Sequence, residues 1–198
     1  MTSDTPSPST ADPLDAQKTA FRDDARRIRN AIPPDQRAAD AARMAQLPLP
    51  FLPERPGIVG GYHPTAREFD CLPLLQCLAR EGWTLALPAV VGDAPLLFHR
   101  WSFGAPLVRG QRGVMQPESG EIVRPAMLLI PLLAFDARGC RLGYGGGHYD
   151  RTLEALRRDG PVLAIGVAFD AQEVAQLPAG PHDQRLDWML TPMGARRF

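Results

Sequence analysis

The spacing of apolar positions changes along the chain, and the changes divide it. From Lys18 onward Phe21, Ala25, Ile28 and Ile32 recur at helical intervals, a narrow stripe that Pro33-Pro34 stops. Beside that stripe Lys18, Arg22, Arg26 and Arg29 stand at i, i+4, i+8 and i+11, on one helix face. An alanine-rich segment with Pro34 at its first turn predicts a second helix over 34–46. After Gly57 the pattern becomes that of strands: GIVGGY (57–62), WTLALP (83–88), LLFHRW (96–101), MLLIPLL (127–133), PVLAIGVAF (161–169) and DWMLT (187–191). The 127–133 and 161–169 runs are continuously apolar, as strands covered on both faces are. Between the strands Asp70 can cap a helix over 71–80 that ends before Gly82. Tyr149, Leu153 and Leu156 mark another over 148–158, with Gly160 past its end.

This alternation predicts a single three-layer α/β/α Rossmann-like domain over residues 18–198, with a mostly parallel or mixed central sheet. No internal repeat or second core is visible. Residues 1–17 carry Pro, Ser, Thr and Asp with little apolar material and are expected to form a disordered leader. The proline-rich stretches at 47–56 and 102–125 read as loops.

Composition adds mainly exclusions. The 198 residues are 44% hydrophobic and 22% charged, which suits a globular chain with an adequate core. Twenty-two basic residues against twenty-two acidic ones remove the electrostatic footprint of a general nucleic-acid or membrane-surface binder. No run approaches the roughly 20 apolar residues that span a bilayer, and MTSDTPSPST lacks the regions of a signal peptide. A cytoplasmic monomer is expected, with small-molecule partners and neither nucleic acid nor membrane. Cys71, Cys77 and Cys140 form no close pair and read as small buried hydrophobes. Of the 22 basic residues, Lys18 is the only lysine.

The densest chemistry lies in LLIPLLAFDARGCRLGYGGGHYDRTLEAL, residues 128–156. It reads as a buried strand, a loop with Gly139, Gly143, Gly145, Gly146 and Gly147, and a helix opening near His148. Glycines allow close backbone approach, and the helix start offers unpaired N–H groups to an anion such as phosphate. The loop is neither a Walker loop, since no Gly-Lys-Ser/Thr follows, nor a dinucleotide fingerprint, since His148 replaces the third glycine. The alternative is a flexible turn, although a plain connection needs only a few residues. Asp150, in the first helical turn, is either a capping charge or a magnesium ligand beside that phosphate, and Arg151 could touch the same anion. Lys18 and Arg22, one turn apart, offer an ammonium and a planar fork to a phosphate, whereas Arg26 and Arg29 read as a solvated basic face. His182-Asp183 hints at a metal phosphohydrolase, but His63, His99 and His148 do not complete such a ligand set. His99 and Trp101 read as packed strand residues.

The loop and its helix resemble the LGxGxGYYDR signature of the 5-formyltetrahydrofolate cyclo-ligases, also called 5,10-methenyltetrahydrofolate synthetases. The likeness continues through KTAFR (18–22), REFD (67–70) and PHDQRLDWMLTP (181–192), four blocks in the family's order. The resemblance implies ATP-driven cyclisation of 5-formyltetrahydrofolate to 5,10-methenyltetrahydrofolate through a phosphorylated formyl intermediate, releasing ADP and phosphate. It implies ATP contacts at Lys18, Arg22 and the run Arg141, Leu142, Gly143, Tyr144, Gly145, Gly146, Gly147, His148 and Tyr149. Folate contacts are implied at His63, Glu68, Tyr144, Gly145, Gly146, Gly147 and His148. Mg2+ falls to Asp150 and Asp183, and catalytic roles to Lys18, Arg22 and Arg151. His148 departs from the family, which usually has the first of two tyrosines there, and so does His63, where an apolar residue is usual. The rival readings are an ATP-dependent kinase or ligase for another small molecule, and a folate or nucleotide sensor without turnover. Retention of Lys18, Asp150 and Asp183 weighs against the sensor.

Overall fold

The structure, a computed structural model, describes residues 13–65 and 67–198. Its first helix, α1 (Pro13–Asn30), begins five residues before the expected boundary of the leader. Proline suits the first turn of a helix, Asp15 adds a favourable charge there, and Leu14 packs over Gly180, so tertiary contact secures a segment whose composition reads as a tail. Residues 1–12, the rest of that leader, lie outside the described residues. Only part of the expected stripe is covered. Ala25 and Ile32 are buried, but Ile28 is exposed, and the buried position on its turn is Arg29.

Helix α2 (Pro34–Met44) and strand β1 (Ile58–Gly60) follow, then α3 (Leu72–Arg80), β2 (Thr84–Ala89) and β3 (Leu97–Trp101). Cys71 takes the N-cap position of α3, and Asp70 serves it from one residue earlier by accepting the Leu72 amide at 2.9 Å. The stretch expected as loop contains a hairpin, β4 (Leu107–Arg109) and β5 (Met115–Pro117), and a short strand β6 (Ile122–Val123). The apolar run at 127–133 divides: β7 (Met127–Pro131) lies in the main sheet, and the chain then turns into a hairpin of β8 (Ala134–Phe135) and β9 (Arg141–Leu142). After α4 (His148–Asp159) come β10 (Leu163–Val167), β11 (Trp188–Thr191) and β12 (Gly194–Arg197).

The eight-stranded sheet runs β12-β11-β10-β7-β1-β2-β3-β6. Its five central strands, β11 through β2, are parallel, and β12, β3 and β6 are antiparallel additions at the edges. Alternation sorts the core onto two faces. Leu85, Leu129 and Ile165 pack with Leu75 and Leu78 of α3 and Met44 of α2, while Ala86, Leu128 and Ala164 pack with Leu153 of α4 on the other side. Each fully buried leucine or isoleucine contributes roughly 1.5–3 kcal/mol. The layers are therefore α/β/α, as the sequence predicts. Trp101 is buried as expected, and His99 Nδ1 lies 3.0 Å from the Gly120 carbonyl oxygen. Among the described residues no helix is long and apolar enough to cross a membrane.

From β1 the chain adds β2 on one side and later β7 on the other, so strand order reverses between β1 and β7. In doubly wound sheets the carboxyl ends of such strands border the ligand crevice.

Candidate active site

The glycine loop leaves that crevice's floor. The β8–β9 hairpin is tied back by the Leu133 amide donating to Leu142 O at 2.7 Å, and the chain emerges at Gly143. Gly145 and Gly147 hold φ of +98° and +65°, left-handed conformations that other residues rarely adopt. At Gly147 a Cβ would also stand 2.6 Å from Arg151 Nη1. Gly147 is the N-cap of α4 and offers no capping side chain, so the amides of the first turn keep their donors for another partner.

One cavity of about 490 Å3 opens above the loop. It gathers Lys18 and Arg22 from α1, His63 and Glu68 from the segment after β1, the continuous run Arg141 to Asp150, and Asp183. Thus all the expected site residues meet except Arg151. That side chain lies under the loop rather than in the cavity, donating to Gly146 O at 2.8 Å and approaching His148 Nδ1 at 3.3 Å. Its visible work is to brace the loop.

The charges inside are arranged in pairs. Lys18 Nζ donates to both carboxylate oxygens of Asp183, at 2.8 and 2.7 Å, and the Gly180 amide adds a third bond at 2.6 Å. Arg141, with a side chain only 5% exposed, donates to Asp150 Oδ1 at 2.7 Å and to the Gln184 carbonyl oxygen. Burial draws its pKa down and Asp150 opposes that, so an arginine stays cationic here. The Gln184 amide donates to the same Asp150 oxygen, and among the described residues nothing donates to Oδ2. Among the described residues Arg22 has only oxygen dipoles as partners, Gly143 O at 3.1 Å and Thr19 Oγ1 at 3.4 Å. Asp150 and Asp183 suit a magnesium site, which takes one or two carboxylates and fills its octahedron with phosphate oxygens and water. Among the described residues no three His, Cys, Asp or Glu side chains form a self-sufficient metal centre.

The polar wall beyond them carries three tyrosines. Burial raises the pKa of Tyr62, Tyr144 and Tyr149 further above the ordinary phenol value, and the nearby Glu68 carboxylate adds to the rise for each. All three remain protonated donors. Two histidines bring buried ring nitrogens without a hydrogen-bond partner among the described residues, His63 Nδ1 and His148 Nε2, both on residues that line the cavity. A buried polar atom without a partner is costly, so these favour a polar ligand. Cys71 lies behind Tyr62, its thiol bonded to the Tyr62 carbonyl and pushed by burial to about 12, which leaves it inert as a nucleophile. Cys140 is buried and Cys77 partly so.

Arg29 overturns the expectation of a solvated face. It is 5% exposed, donates through Nη1 to Tyr144 OH, and stands 5.5 Å from the centroid of that ring, so α1 grips the glycine loop from below. Its spacing held a signal, since it follows Arg22 by seven residues and shares its face. Arg112 and Asp15 also line the cavity and were not anticipated.

A doubly wound sheet with a crevice at its switch point, a glycine loop opening a helix and paired charges defines an α/β protein built to hold a small polar ligand at a strand–loop–helix junction. The chain belongs to the 5-formyltetrahydrofolate cyclo-ligase family, whose profile matches residues 14–192. It is 34% identical over 144 residues to the 5-formyltetrahydrofolate cyclo-ligase of Mycolicibacterium smegmatis, covering 68% of this chain and 73% of that one. The Escherichia coli K12 protein of the same name is also 34% identical, over 132 residues, with 63% and 72% covered. Among solved structures, Aquifex aeolicus 5,10-methenyltetrahydrofolate synthetase superposes with a TM-score of 0.75 at 31% identity, covering 91% of this chain and 92% of that one. The Mycoplasma pneumoniae synthetase shares the fold, with a TM-score of 0.69 at 24% identity over 88% of this chain and 98% of that one.

Proposed function

We propose that this chain cyclises 5-formyltetrahydrofolate to 5,10-methenyltetrahydrofolate with ATP and Mg2+, releasing ADP and phosphate. The observation that carries the proposal is convergence: four sequence blocks spread from Lys18 to Asp183 line one cavity around the glycine loop. Family membership supports the substrate, and the loop ahead of an uncapped helix supports a phosphate.

The amide-like N5-formyl carbon is a poor electrophile and its oxygen a poor leaving group. Transfer of the γ-phosphoryl group to that oxygen makes the carbon electrophilic; N10 attacks it and loses its proton, and the C–O bond breaks to expel phosphate. Positioning and charge neutralisation do most of the work in such chemistry. Lys18 and Arg22 supply cations to the transferring group, and the loop amides supply dipoles. Asp150 and Asp183 would hold Mg2+, which would neutralise phosphate charge. Lys18, held by Asp183 in the structure, would be free to take a phosphate oxygen if that carboxylate held Mg2+. Glu68 would orient the pterin through an N–H, and Arg151 would act by bracing the loop. Balanced charge supports an enzyme of small molecules without a nucleic-acid partner.

The test is an ADP-release assay with and without 5-formyltetrahydrofolate, with the methenyl product followed by its absorbance. Coupled appearance of both products is expected. Release of ADP with other small molecules but not this folate points to a different kinase or ligase, and tight binding with no turnover points to a sensor.

A further inference from the structure

One cation in the cavity belongs to none of the four blocks. Arg112 lines the cavity but comes from the hairpin β4–β5, whose tip is a single 3-10 turn, Gln111–Gly113. Gln111 Oε1 accepts the Gly92 amide at 2.9 Å and docks the tip on the loop after β2. Arg112 is the only non-glycine residue at positive φ among the described residues, at φ 57° and ψ 15°. An L side chain is disfavoured there, and strained positions of this kind gather at ligand sites. The conformation delivers the guanidinium to the glycine loop: Arg112 Nη1 lies 3.7 Å from the point a Cβ on Gly146 would occupy. On the neighbouring glycine, Arg22 Cζ lies 3.3 Å from the corresponding point of Gly145.

The charge inventory separates these two arginines from the rest. Lys18 and Arg141 are each taken up by a cavity carboxylate, Asp183 and Asp150. Among the described residues Arg22 has no such partner, and Arg112 meets only Asp93 at 3.6 Å, in a pair whose side chains are 58% and 87% exposed; an exposed pair of that length holds weakly. Two cations that form no ion pair with a cavity carboxylate among the described residues, Asp15 and Glu68 included, therefore approach adjacent glycines from two separate elements, beside amides that also favour an anion.

We propose that Arg112 is a ligand-binding residue that takes an oxyanion of the bound substrates. The inference rests on the function proposed above and supplies a contact that the family blocks do not. The oxyanion has two possible sources, the ATP phosphates and the carboxylates of the folate glutamate tail, and the bound guanidinium gives up Asp93 for either. Arg112→Asn is the decisive variant, because asparagine tolerates the left-handed conformation and so removes the charge while keeping the turn. Its affinity for a non-hydrolysable ATP with Mg2+, and for 5-formyltetrahydrofolate, is measured by calorimetry beside the wild type and Arg112→Lys.

A loss of about ten-fold in one of these affinities is expected for Arg112→Asn, the range of a charged hydrogen bond, with partial recovery in Arg112→Lys. A loss confined to the nucleotide assigns the phosphates. A loss confined to the folate, and absent with a formylated pterin lacking the glutamate tail, assigns the carboxylates. Unchanged affinity for both ligands overturns the proposal, as does an equal loss in Arg112→Lys, which would place the effect in the hairpin backbone. Binding does not require turnover, so a wild type that binds without cyclising the folate removes the proposed function and leaves Arg112 judged on its own affinities.

Discussion

Two groups of carboxylates lie near strand β9 and are held in opposite ways. Asp136, in the turn before β9, has no solvent exposure and accepts five hydrogen bonds, from the Arg138, Cys140 and Leu177 amides and twice from the Arg138 guanidinium. Asp183 and Asp150, on the cavity side, keep roughly a third of their side chains exposed and are held chiefly by cations that could exchange them for a ligand. Saturation distinguishes the two. A carboxylate with every lone pair engaged fixes a turn, whereas one sharing an oxygen with a cation at a cavity wall is poised for a metal or a charge transfer. Asp136 thus holds the hairpin from which the glycine loop springs, and the pair beyond it is left open to a ligand.

The largest effect that tests this contrast is expected at Asp183. Asp183→Asn removes a charge from a mostly covered pair at the cavity wall, so turnover should fall about 10²–10³-fold, the scale of losing one electrostatic stabiliser, and the magnesium titration should move to higher concentration. The melting temperature should shift by only a few degrees. Asp150→Asn is a poorer probe, because it would leave the buried Arg141 guanidinium unpaired and destabilise the fold as well. An unchanged magnesium dependence in Asp183→Asn would erase the distinction between Asp136 and the cavity carboxylates.

The converse is Asp136→Asn, where turnover per folded molecule should survive and stability should drop by about 3 kcal/mol, since a fully buried carboxylate among donors is replaced by an amide that cannot accept them all. The pH dependence has a definite sign. Burial alone would raise the Asp136 pKa, but its bonds to Arg138, Leu177 and Cys140 outweigh burial and hold it below the ordinary carboxylate value. A carboxylate depressed in the folded state contributes stability above its unfolded pKa, about 3.9, and loses it as pH falls through the lower folded value. Acid unfolding of the wild type should therefore steepen below about pH 4, and the Asn variant should lack that component while remaining less stable near neutrality. Denaturant melts across pH 2–7 check both.

What the sequence made legible follows the same division between local and distant causes. The parallel core was readable because Met127–Pro131 and Leu163–Val167 are apolar on both faces, and the glycine loop because local φ demands select glycine. Strand β12, GARR, was not, since an edge strand needs a partner more than an apolar pattern, and β11 provides it. The hairpin carrying Arg112 was hidden by Gly104, Pro106 and Gly110, which read as loop until Leu107–Arg109 and Met115–Pro117 pair. Arg29 was misjudged because charge normally marks the surface, and the phenol that receives it lies 115 residues away.

That last error gives the smallest and sharpest comparison, within one helix. Ile28 carries the apolar side chain but is 40% exposed, while Arg29 carries the charge and is 5% exposed, so pattern and burial disagree at adjacent positions. If tertiary partners decide, Arg29→Met should destabilise by about 1–2 kcal/mol, because the Tyr144 hydroxyl loses its charged donor and the ring its cation. Arg26→Met, which loses only an exposed i,i+3 pair with Asp23 at 3.0 Å, should change stability by about 0.5 kcal/mol or less. Ile28→Gln should fall within about 0.5 kcal/mol of the wild type, as exposed substitutions do. Thermal melts of the three variants rank them directly. A large loss at Ile28 with none at Arg29 would mean that the apolar stripe, and not the arginine beneath Tyr144, seats α1 against the glycine loop.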